Sequence, residues 1–378
     1  METKKKGFPV AFWVCSCSEI FERLAYYLGR SLILIFVTAS VATGGLGLSD
    51  TVAANMQSNL TAFSYLLPLF GAVIVDKYIG ARYTTPVGMF IAAAGYFTGG
   101  IAKSATGVYV MIFLVSLGLA LFKNGAIIGR VITDKSQMDP AFSMRYTLVN
   151  VGAFIGTFLV GILYKDVFAK DGVLGFAPCF KMAALMMVLG GLWYIFVCWR
   201  FLGDLGKLPF KKTLTEEEEK AAEAKKKEEA GTKQPLTTIE KKRIGAIFVA
   251  SLFSIVFWIF WYLGYMPVYF YWAENMDWVV AGYQVPSTWF DAANSLFCVI
   301  LGPVTAALWK KLAARPQGDM SLFRKTGLGI AIIGVGYLFY AAIDIMRGGE
   351  KASVLWLIVF AFLLTMGEMF FSPLGHSF

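Results

Sequence analysis

Hydrophobic residues fall in long blocks along the 378-residue chain, and short polar stretches separate the blocks. Each block reaches the ~20 residues that an α-helix needs to cross a bilayer. The blocks predict ten membrane-spanning helices, at residues 9–38, 52–76, 84–103, 107–130, 141–164, 177–201, 244–272, 284–309, 323–346 and 353–378. We therefore expect an all-α integral membrane protein.

The segment between the sixth and seventh blocks, residues 203–243, has a different character. It contains EEEEKAAEAKKKEEA, and Thr215 and Glu218 are spaced as in a capping box that begins a helix. We interpret it as a charged linker between an N-terminal six-helix bundle at 1–202 and a C-terminal bundle at 244–378. Bundles related as repeats are common in transporters. Because the second bundle has four blocks and the chain stops within an apolar run, we expect two further helices; a ten-helix protein is the alternative.

The composition agrees with a membrane protein. Charged residues make up 16% of the chain, whereas they make up about a quarter of soluble proteins. The net charge of +9 could indicate a nucleic-acid partner, but basic residues also accumulate in cytoplasmic loops. Outside the helix interiors, 25 basic residues fall on the side of the N-terminus and the linker, and 6 on the other side. We expect a multi-pass plasma-membrane protein with its N-terminus and linker in the cytoplasm and no nucleic-acid partner.

The five cysteines are odd in number, lie mostly within apolar blocks and form no CxxC pair. They are typical of small core residues. We therefore expect no metal site and no cofactor. A membrane-embedded enzyme is poorly supported, because the sequence shows no His/Asp, Cys/His or metal-ligand grouping.

The first block carries four charges at bilayer depth, where each costs an estimated ~2.5–3.5 kcal/mol on insertion scales. At about 100° per residue, one stripe about 100° wide holds all of them and a tyrosine: Glu19, Glu22, Arg23, Tyr26 and Arg30. The stripe could be a neutral polar knot that fixes helix packing. We favour a transport site, because a carboxylate near an arginine in a low-dielectric cavity can exchange a proton when its pairing changes.

Two more charges lie alone within apolar blocks, Lys123 in the fourth and Glu368 in the tenth. The six charges named so far sum to zero, with Arg23, Arg30 and Lys123 against Glu19, Glu22 and Glu368. This balance predicts a cavity with separated poles, suited to a substrate that has an amino end and a carboxylate end.

Six features of the sequence resemble those of proton-dependent oligopeptide transporters, a branch of the major facilitator superfamily. EIFERLAYY resembles the helix-one E-x-x-E-R-F-x-Y-Y signature, and LALFKNG resembles the helix-four lysine motif. PLFGAVIVDKYIGARY is similar to the loop after helix two, and RYTLVNVGAFIG to the helix-five Tyr-x-x-x-Asn-x-Gly pattern. Asn294 matches the helix-eight asparagine, and GEMFFSPLG resembles the helix-ten motif.

The resemblance implies a major facilitator fold and a secondary active transporter for proton-coupled uptake of di- and tripeptides by alternating access. Its partners would be a small peptide, protons and the lipid bilayer, and it would be a monomer. By this resemblance, proton coupling would involve Glu19, Glu22, Arg23, Lys123 and Glu368. Substrate binding would involve Arg23, Tyr26, Tyr27, Arg30, Tyr65, Lys123, Tyr146, Asn294, Glu368 and Ser372, and a conformational loop would contain Gly71, Asp76, Gly80 and Arg82.

The sequence departs from the family pattern at three positions. Tyr262 stands where family members usually carry a helix-seven carboxylate that pairs with the arginine corresponding to Arg30, so Arg30 is expected to lack its partner. Asn124 replaces a proline, and Leu24 replaces a phenylalanine. The alternatives are a symporter for amino acids, nitrate or another anion-bearing solute, and a membrane sensor that transports nothing.

Overall fold

Each predicted block contains a helix in the computed structural model, which describes residues 7–133, 137–209, 237–265, 267–316 and 320–371. Short polar side chains cap several helices; the Ser49 hydroxyl, for example, accepts a hydrogen bond from the Val52 N–H at 3.4 Å. The N-terminal half contains α1 (Val10–Thr38), α2 (Asp50–Lys77), α3 (Ala81–Ile101), α4 (Ala105–Leu121), α5 (Asn124–Val131), α6 (Met138–Ile162) and α7 (Phe176–Arg200).

The C-terminal half begins inside the predicted linker. Thr237 and Glu240 form a capping box, so the first helix starts at Thr238 rather than after residue 243. The helix start predicted at Thr215 and Glu218 lies outside the described residues. This half contains α8 (Thr238–Leu263), α9 (Pro267–Asn275), α10 (Trp289–Ala313), α11 (Leu322–Arg347) and α12 (Leu355–Phe371).

Two of the predicted spans are confirmed as apolar segments long enough to cross a bilayer, but the helix within each is interrupted. The helix predicted at 107–130 breaks at Lys123, where tertiary hydrogen bonds replace helical ones: the Lys123 N–H donates to Thr85 Oγ1 at 3.3 Å, and Asn124 Nδ2 donates to the Cys15 carbonyl at 2.8 Å. The helix predicted at 244–272 ends at Leu263, and α9 begins at a proline, a residue that suits the first position of a helix.

Short strands lie between the helices of the C-terminal half. Strand β1 (Met276–Asp277) pairs in parallel with β4 (Ala352–Ser353), and β2 (Val279–Val280) pairs antiparallel with β3 (Tyr283–Gln284). The two residues between β2 and β3 have φ values of 51° and 80°, as a type I′ hairpin turn requires. This hairpin delays the start of α10 to Trp289, whereas the block predicted a start at residue 284.

Among the described residues, each half of the chain has one large hydrophobic core and one smaller hydrophobic cluster. Close helix packing relies on small residues in the N-terminal half, where a Cβ on Gly88 would lie 2.4 Å from the Gly118 carbonyl oxygen. Helices α6 and α10 make the most extensive contact between the two halves. Seven helical segments in the described part of the chain are long and apolar enough to cross a bilayer. The predicted all-α membrane fold is confirmed.

Candidate functional site

The polar face of α1 holds a close ion pair. Arg23 Nε and Nη2 donate to the two carboxylate oxygens of Glu22 at 2.5 and 2.7 Å. The Arg23 guanidinium also lies 5.0 Å from the centre of the Tyr26 ring, and the Arg30 guanidinium lies 5.7 Å from the Tyr27 ring. The predicted stripe is therefore a continuous layer of cations and aromatic rings that begins at a two-point ion pair.

Glu19, at the inner end of the same stripe, has a partner that the sequence did not suggest. Arg145 Nε, on α6, donates to both Glu19 carboxylate oxygens at 2.8 Å. The arginine packs closely against α5, since a Cβ on Gly125 would lie 3.0 Å from Arg145 Nη2. The carboxylate that Arg145 pairs with is 1% exposed, whereas the Arg145 side chain is 32% exposed.

Lys123 lies apart from these carboxylates. Its position at the break between α4 and α5 directs its Nζ to the Pro68 carbonyl of α2, at 3.0 Å. Asp76, near the end of α2, is the acid that interacts electrostatically with it. The structure therefore does not bring Lys123 into the ion pairs of α1.

A second pole is built on α10 and α12 around Glu368. Asn294 Nδ2 donates to Glu368 Oε2 at 3.0 Å and to Thr365 Oγ1 at 2.9 Å. The Cys298 thiol lies 3.9 Å from the same carboxylate oxygen. Tyr146, on α6, interacts electrostatically with Glu368 across the two halves of the chain. This pole is a buried carboxylate whose hydrogen-bond donors among the described residues are neutral. Ser372, predicted beside it, lies outside the described residues.

Arg30 forms no ion pair with an acid among the residues that the structure describes, and the expected loss of its helix-seven partner stays a prediction. Asp291, in the first turn of α10, is an acid whose charge acts on Arg30 without a direct ion pair. Tyr262, in the position of the absent acid, instead donates a hydrogen bond from its hydroxyl to the Tyr65 hydroxyl at 3.4 Å. Arg145 and Asp291 add one cation and one anion to the predicted set, so the balance of buried charges is preserved.

Both missed residues had a signal in the sequence. Arg145 lies within the block 141–164, and Asp291 lies within the block 284–309. A charge inside an apolar block is costly wherever it falls, so each position alone indicated a buried partner. What the sequence could not give is the identity of that partner, because it lies on another helix.

The predicted conformational loop joins α2 and α3 to the segment after α7. Arg82 donates to the Cys198 carbonyl at 2.6 Å and also to the Gly203 carbonyl. A Cβ on Gly80 would lie 2.1 Å from the Gly206 carbonyl oxygen, and one on Gly71 would lie 2.0 Å from the Ala120 carbonyl oxygen. The loop thus packs backbone against backbone on the linker side of the N-terminal half.

The two halves touch at the ends of their helices remote from the linker. Trp289 Nε1, on α10, donates to the Phe158 carbonyl of α6 at 3.1 Å. Beyond this contact, the Tyr283 hydroxyl donates to Asp166 Oδ2 at 2.9 Å, and Lys165 Nζ donates to the Gln284 carbonyl at 2.5 Å. Burial and the hydrogen bond to Asp166 raise the pKa of Tyr283, so its hydroxyl keeps the proton that it donates.

Comparison with known proteins agrees with this architecture. A family model described as the POT family matches residues 206–378. The "Di-/tripeptide transporter" of Lactococcus lactis subsp. cremoris is 23% identical and covers 98% of this chain and 83% of its own length. The "Peptide transporter YePEPT" of Yersinia enterocolitica is 25% identical and covers 98% of this chain and 81% of its own length. The chain is thus similar to POT-family peptide transporters, by its family match over residues 206–378 and by its relatives over nearly its whole length.

Solved structures extend this similarity to three dimensions. A mutant of a peptide transporter POT in complex with alafosfalin is 26% identical, with a TM-score of 0.84 over 99% of this chain and 83% of that chain. A mutant of peptide transporter POT in complex with sulfate is 25% identical, with a TM-score of 0.85 over the same shares. The family is one of transporters, and the major facilitator fold implied by the motifs is confirmed.

Proposed function

We propose that this chain is a secondary active transporter that couples proton entry to the uptake of di- and tripeptides. The transported molecule crosses by alternating access between an N-terminal bundle at 1–202 and a C-terminal bundle at 244–378. The match of residues 206–378 to the POT family and the named activities of the relatives support this class of function. The choice of a peptide over another solute rests on the two poles of the site.

The carboxylate of Glu368 carries this proposal. It is 8% exposed, and its hydrogen-bond donors in the described residues, Asn294 and Cys298, are neutral. A buried carboxylate without a cation is costly, so binding the ammonium group of a peptide would stabilise it. Loss of that ammonium group should therefore weaken binding sharply.

The opposite pole suits the peptide carboxylate. Arg23 and Arg30 lie on one face of α1, and Tyr26, Tyr27 and Tyr65 surround them with aromatic surface. Arginine can bind a carboxylate through two parallel N–H donors. A free amino acid offers the same two groups at a shorter separation, and nitrate offers no cation for Glu368.

Alternating access is supported by the position of the contacts between the bundles. The hydrogen bonds from Trp289, Tyr283 and Lys165 all lie at the helix ends remote from the charged linker. With the linker in the cytoplasm, as the distribution of basic residues favours, these bonds close the site toward the outside. We assign the structure to an inward-facing state of a monomer in the plasma membrane.

Protons enter through the buried acids. Glu22 and Glu368 remain the proposed coupling residues from the sequence, with Arg23 as the counter-ion of Glu22. Glu19 and Lys123 complete the proposed coupling set, with Arg145 as the counter-ion of Glu19 and the Pro68 carbonyl as the acceptor of the Lys123 Nζ.

A binding experiment with a blocked peptide tests the substrate class. Dialanine should raise the melting temperature of the purified full chain, because a ligand that binds only the folded state stabilises it. N-acetyl-dialanine, which lacks the ammonium group, should give little or no shift. The Glu368→Gln variant should respond weakly to both peptides.

Two results would contradict the proposal. An equal shift with the free and the acetylated peptide would mean that Glu368 does not bind an amino group. A shift with nitrate and none with dialanine would favour the anion symporter instead. Alanine is the matched control, since it has both charged ends but not the peptide spacing.

A further inference from the structure

The side-chain amide of Asn294 is bound by two acceptors at the buried pole of the site. Its Nδ2 donates to Glu368 Oε2 at 3.0 Å and to Thr365 Oγ1 at 2.9 Å. An amide nitrogen carries two N–H donors, so each acceptor takes one of them. A single bond to Glu368 would let the amide rotate about that bond, whereas two bonds fix the plane of the amide.

The Thr365 hydroxyl can only accept a hydrogen bond from Asn294. Its one O–H donates to the Ala361 carbonyl, one turn earlier in α12, at 2.8 Å, which leaves only its lone pairs for other groups. An ionised Glu368 is likewise an acceptor only. Both neighbours therefore select the amide nitrogen of Asn294. If the amide turned over, its oxygen would face two acceptors in a buried position, where an unmade hydrogen bond is costly.

The spacing of residues along two helices produces this arrangement. Thr365 and Glu368 are three residues apart in α12, and Asn294 and Cys298 are four residues apart in α10, so each pair lies on one helix face. The Cys298 thiol also lies 3.9 Å from Glu368 Oε2, but a thiol is a weak donor. Asn294 is therefore the stronger of these two donors to the Glu368 carboxylate, and its orientation depends on Thr365.

We propose that Thr365 is a positioning residue for substrate binding. It keeps the amide nitrogen of Asn294 directed at Glu368, so that the carboxylate is held in place for the ammonium group of the substrate. When the ammonium group binds, Glu368 is shared between two donors, and Asn294 keeps its orientation because Thr365 still accepts from it. Thr365 is 0% exposed, so it acts through Asn294 and not on the substrate. This inference rests on the proposed function.

Binding of dialanine to the purified full chain, measured by isothermal titration calorimetry, tests this role. Thr365→Val removes the hydroxyl and keeps the branched shape of the side chain, and we expect it to weaken binding about three- to tenfold, the range that one hydrogen bond gives. Thr365→Ser keeps the hydroxyl and should bind dialanine as the wild type does. Thr157→Val is the matched control and should leave binding unchanged, since Thr157 is also 0% exposed and donates to the Ala153 carbonyl, one turn earlier in α6, at 2.6 Å.

A second measurement needs no substrate and separates positioning from packing. Melting temperatures of the wild type, Asn294→Ala, Glu368→Gln and the double variant give the coupling between Asn294 and Glu368. We expect this coupling to be smaller when the same four proteins also carry Thr365→Val, and to be retained when they carry Thr365→Ser. A role in packing alone would lower all four melting temperatures by a similar amount and leave the coupling unchanged.

Three results would overturn the assignment of Thr365. They are an equal affinity for dialanine in Thr365→Val and the wild type, a loss of affinity in Thr365→Ser as large as that in Thr365→Val, and an Asn294–Glu368 coupling that Thr365→Val does not reduce. If valine prevents folding, Thr365→Ala removes the same hydroxyl with less volume and replaces Thr365→Val in both measurements. If the wild type does not bind dialanine, the peptide proposal fails, while the coupling still decides the role of Thr365.

Discussion

Removing the Arg145 side-chain charge should destabilise the protein even though no substrate contact is lost. The change Arg145→Met keeps most of the aliphatic stem and removes the guanidinium that donates to Glu19 at 2.8 Å. Glu19 is 1% exposed, so the variant leaves a carboxylate buried without its cation. The unpaired Glu19 carboxylate then lowers the free energy of unfolding, because it stays buried without a counter-ion.

The size of the effect follows from the exposure of the two side chains. Breaking a fully buried ion pair by removing one partner costs ~3–5 kcal/mol. The Arg145 side chain is 32% exposed, against 2% for Glu19, and solvent screening reduces the loss to about 2 kcal/mol. In a chain of this length, that corresponds to a fall of roughly 2–4 °C in melting temperature.

A double-mutant cycle measures this coupling. Melting temperatures of the full chain in detergent are compared for the wild type, Arg145→Met, Glu19→Gln and the double variant, with the exposed Lys170→Met as control. The double variant buries no unpaired charge. Its fall in melting temperature should therefore be clearly smaller than the sum of the falls for the two single variants. Strictly additive losses, or an Arg145→Met variant as stable as the wild type, would refute the reasoning.

Three further predictions follow from close contacts. Gly71→Ala should sharply lower the melting temperature and the yield of folded protein, because its Cβ would lie 2.0 Å from the Ala120 carbonyl oxygen. A melting temperature and yield equal to those of the wild type would mean that α2 and α4 are farther apart. Tyr283→Phe removes the donor to Asp166 at 2.9 Å, so spin labels at the outer end should report a larger open population, and an unchanged distance distribution would contradict this contact. In Arg82→Lys, the lysine cannot donate to two backbone carbonyls in the fixed geometry of the guanidinium. Proteolysis of the segment after α7 should therefore become faster. An unchanged cleavage rate would show that the contact is dispensable.

The positions of the helices could be predicted because an apolar block of bilayer length has few other stable forms. The breaks could not, since they depend on partners elsewhere: Lys123 bonds to Thr85 on α3, and Asn124 bonds to Cys15 on α1. The β2–β3 hairpin before α10 could not be predicted for a different reason. Its strands are two residues long and apolar, so they extend the hydrophobic pattern of the helix that follows.

In the candidate site, too, the sequence predicted the positions of residues but not their partners. The helical period placed Glu22, Arg23 and Arg30 on one face of α1 from the sequence alone. It could not show that Glu22 pairs with its own neighbour in the chain, or that Glu19 turns to α6. Pairing depends on helix rotation and on which residues across the interface are small, as Gly125 is opposite Arg145.

Uptake of radiolabelled dialanine by proteoliposomes, with an imposed gradient that is acidic outside, tests the central claim most directly. The full chain should accumulate the dipeptide above its external concentration, a protonophore should abolish the accumulation, and Glu368→Gln should reduce it to the level of liposomes without protein. Accumulation that does not respond to the proton gradient would contradict proton coupling. No accumulation of dialanine by a folded wild-type protein would contradict peptide transport itself.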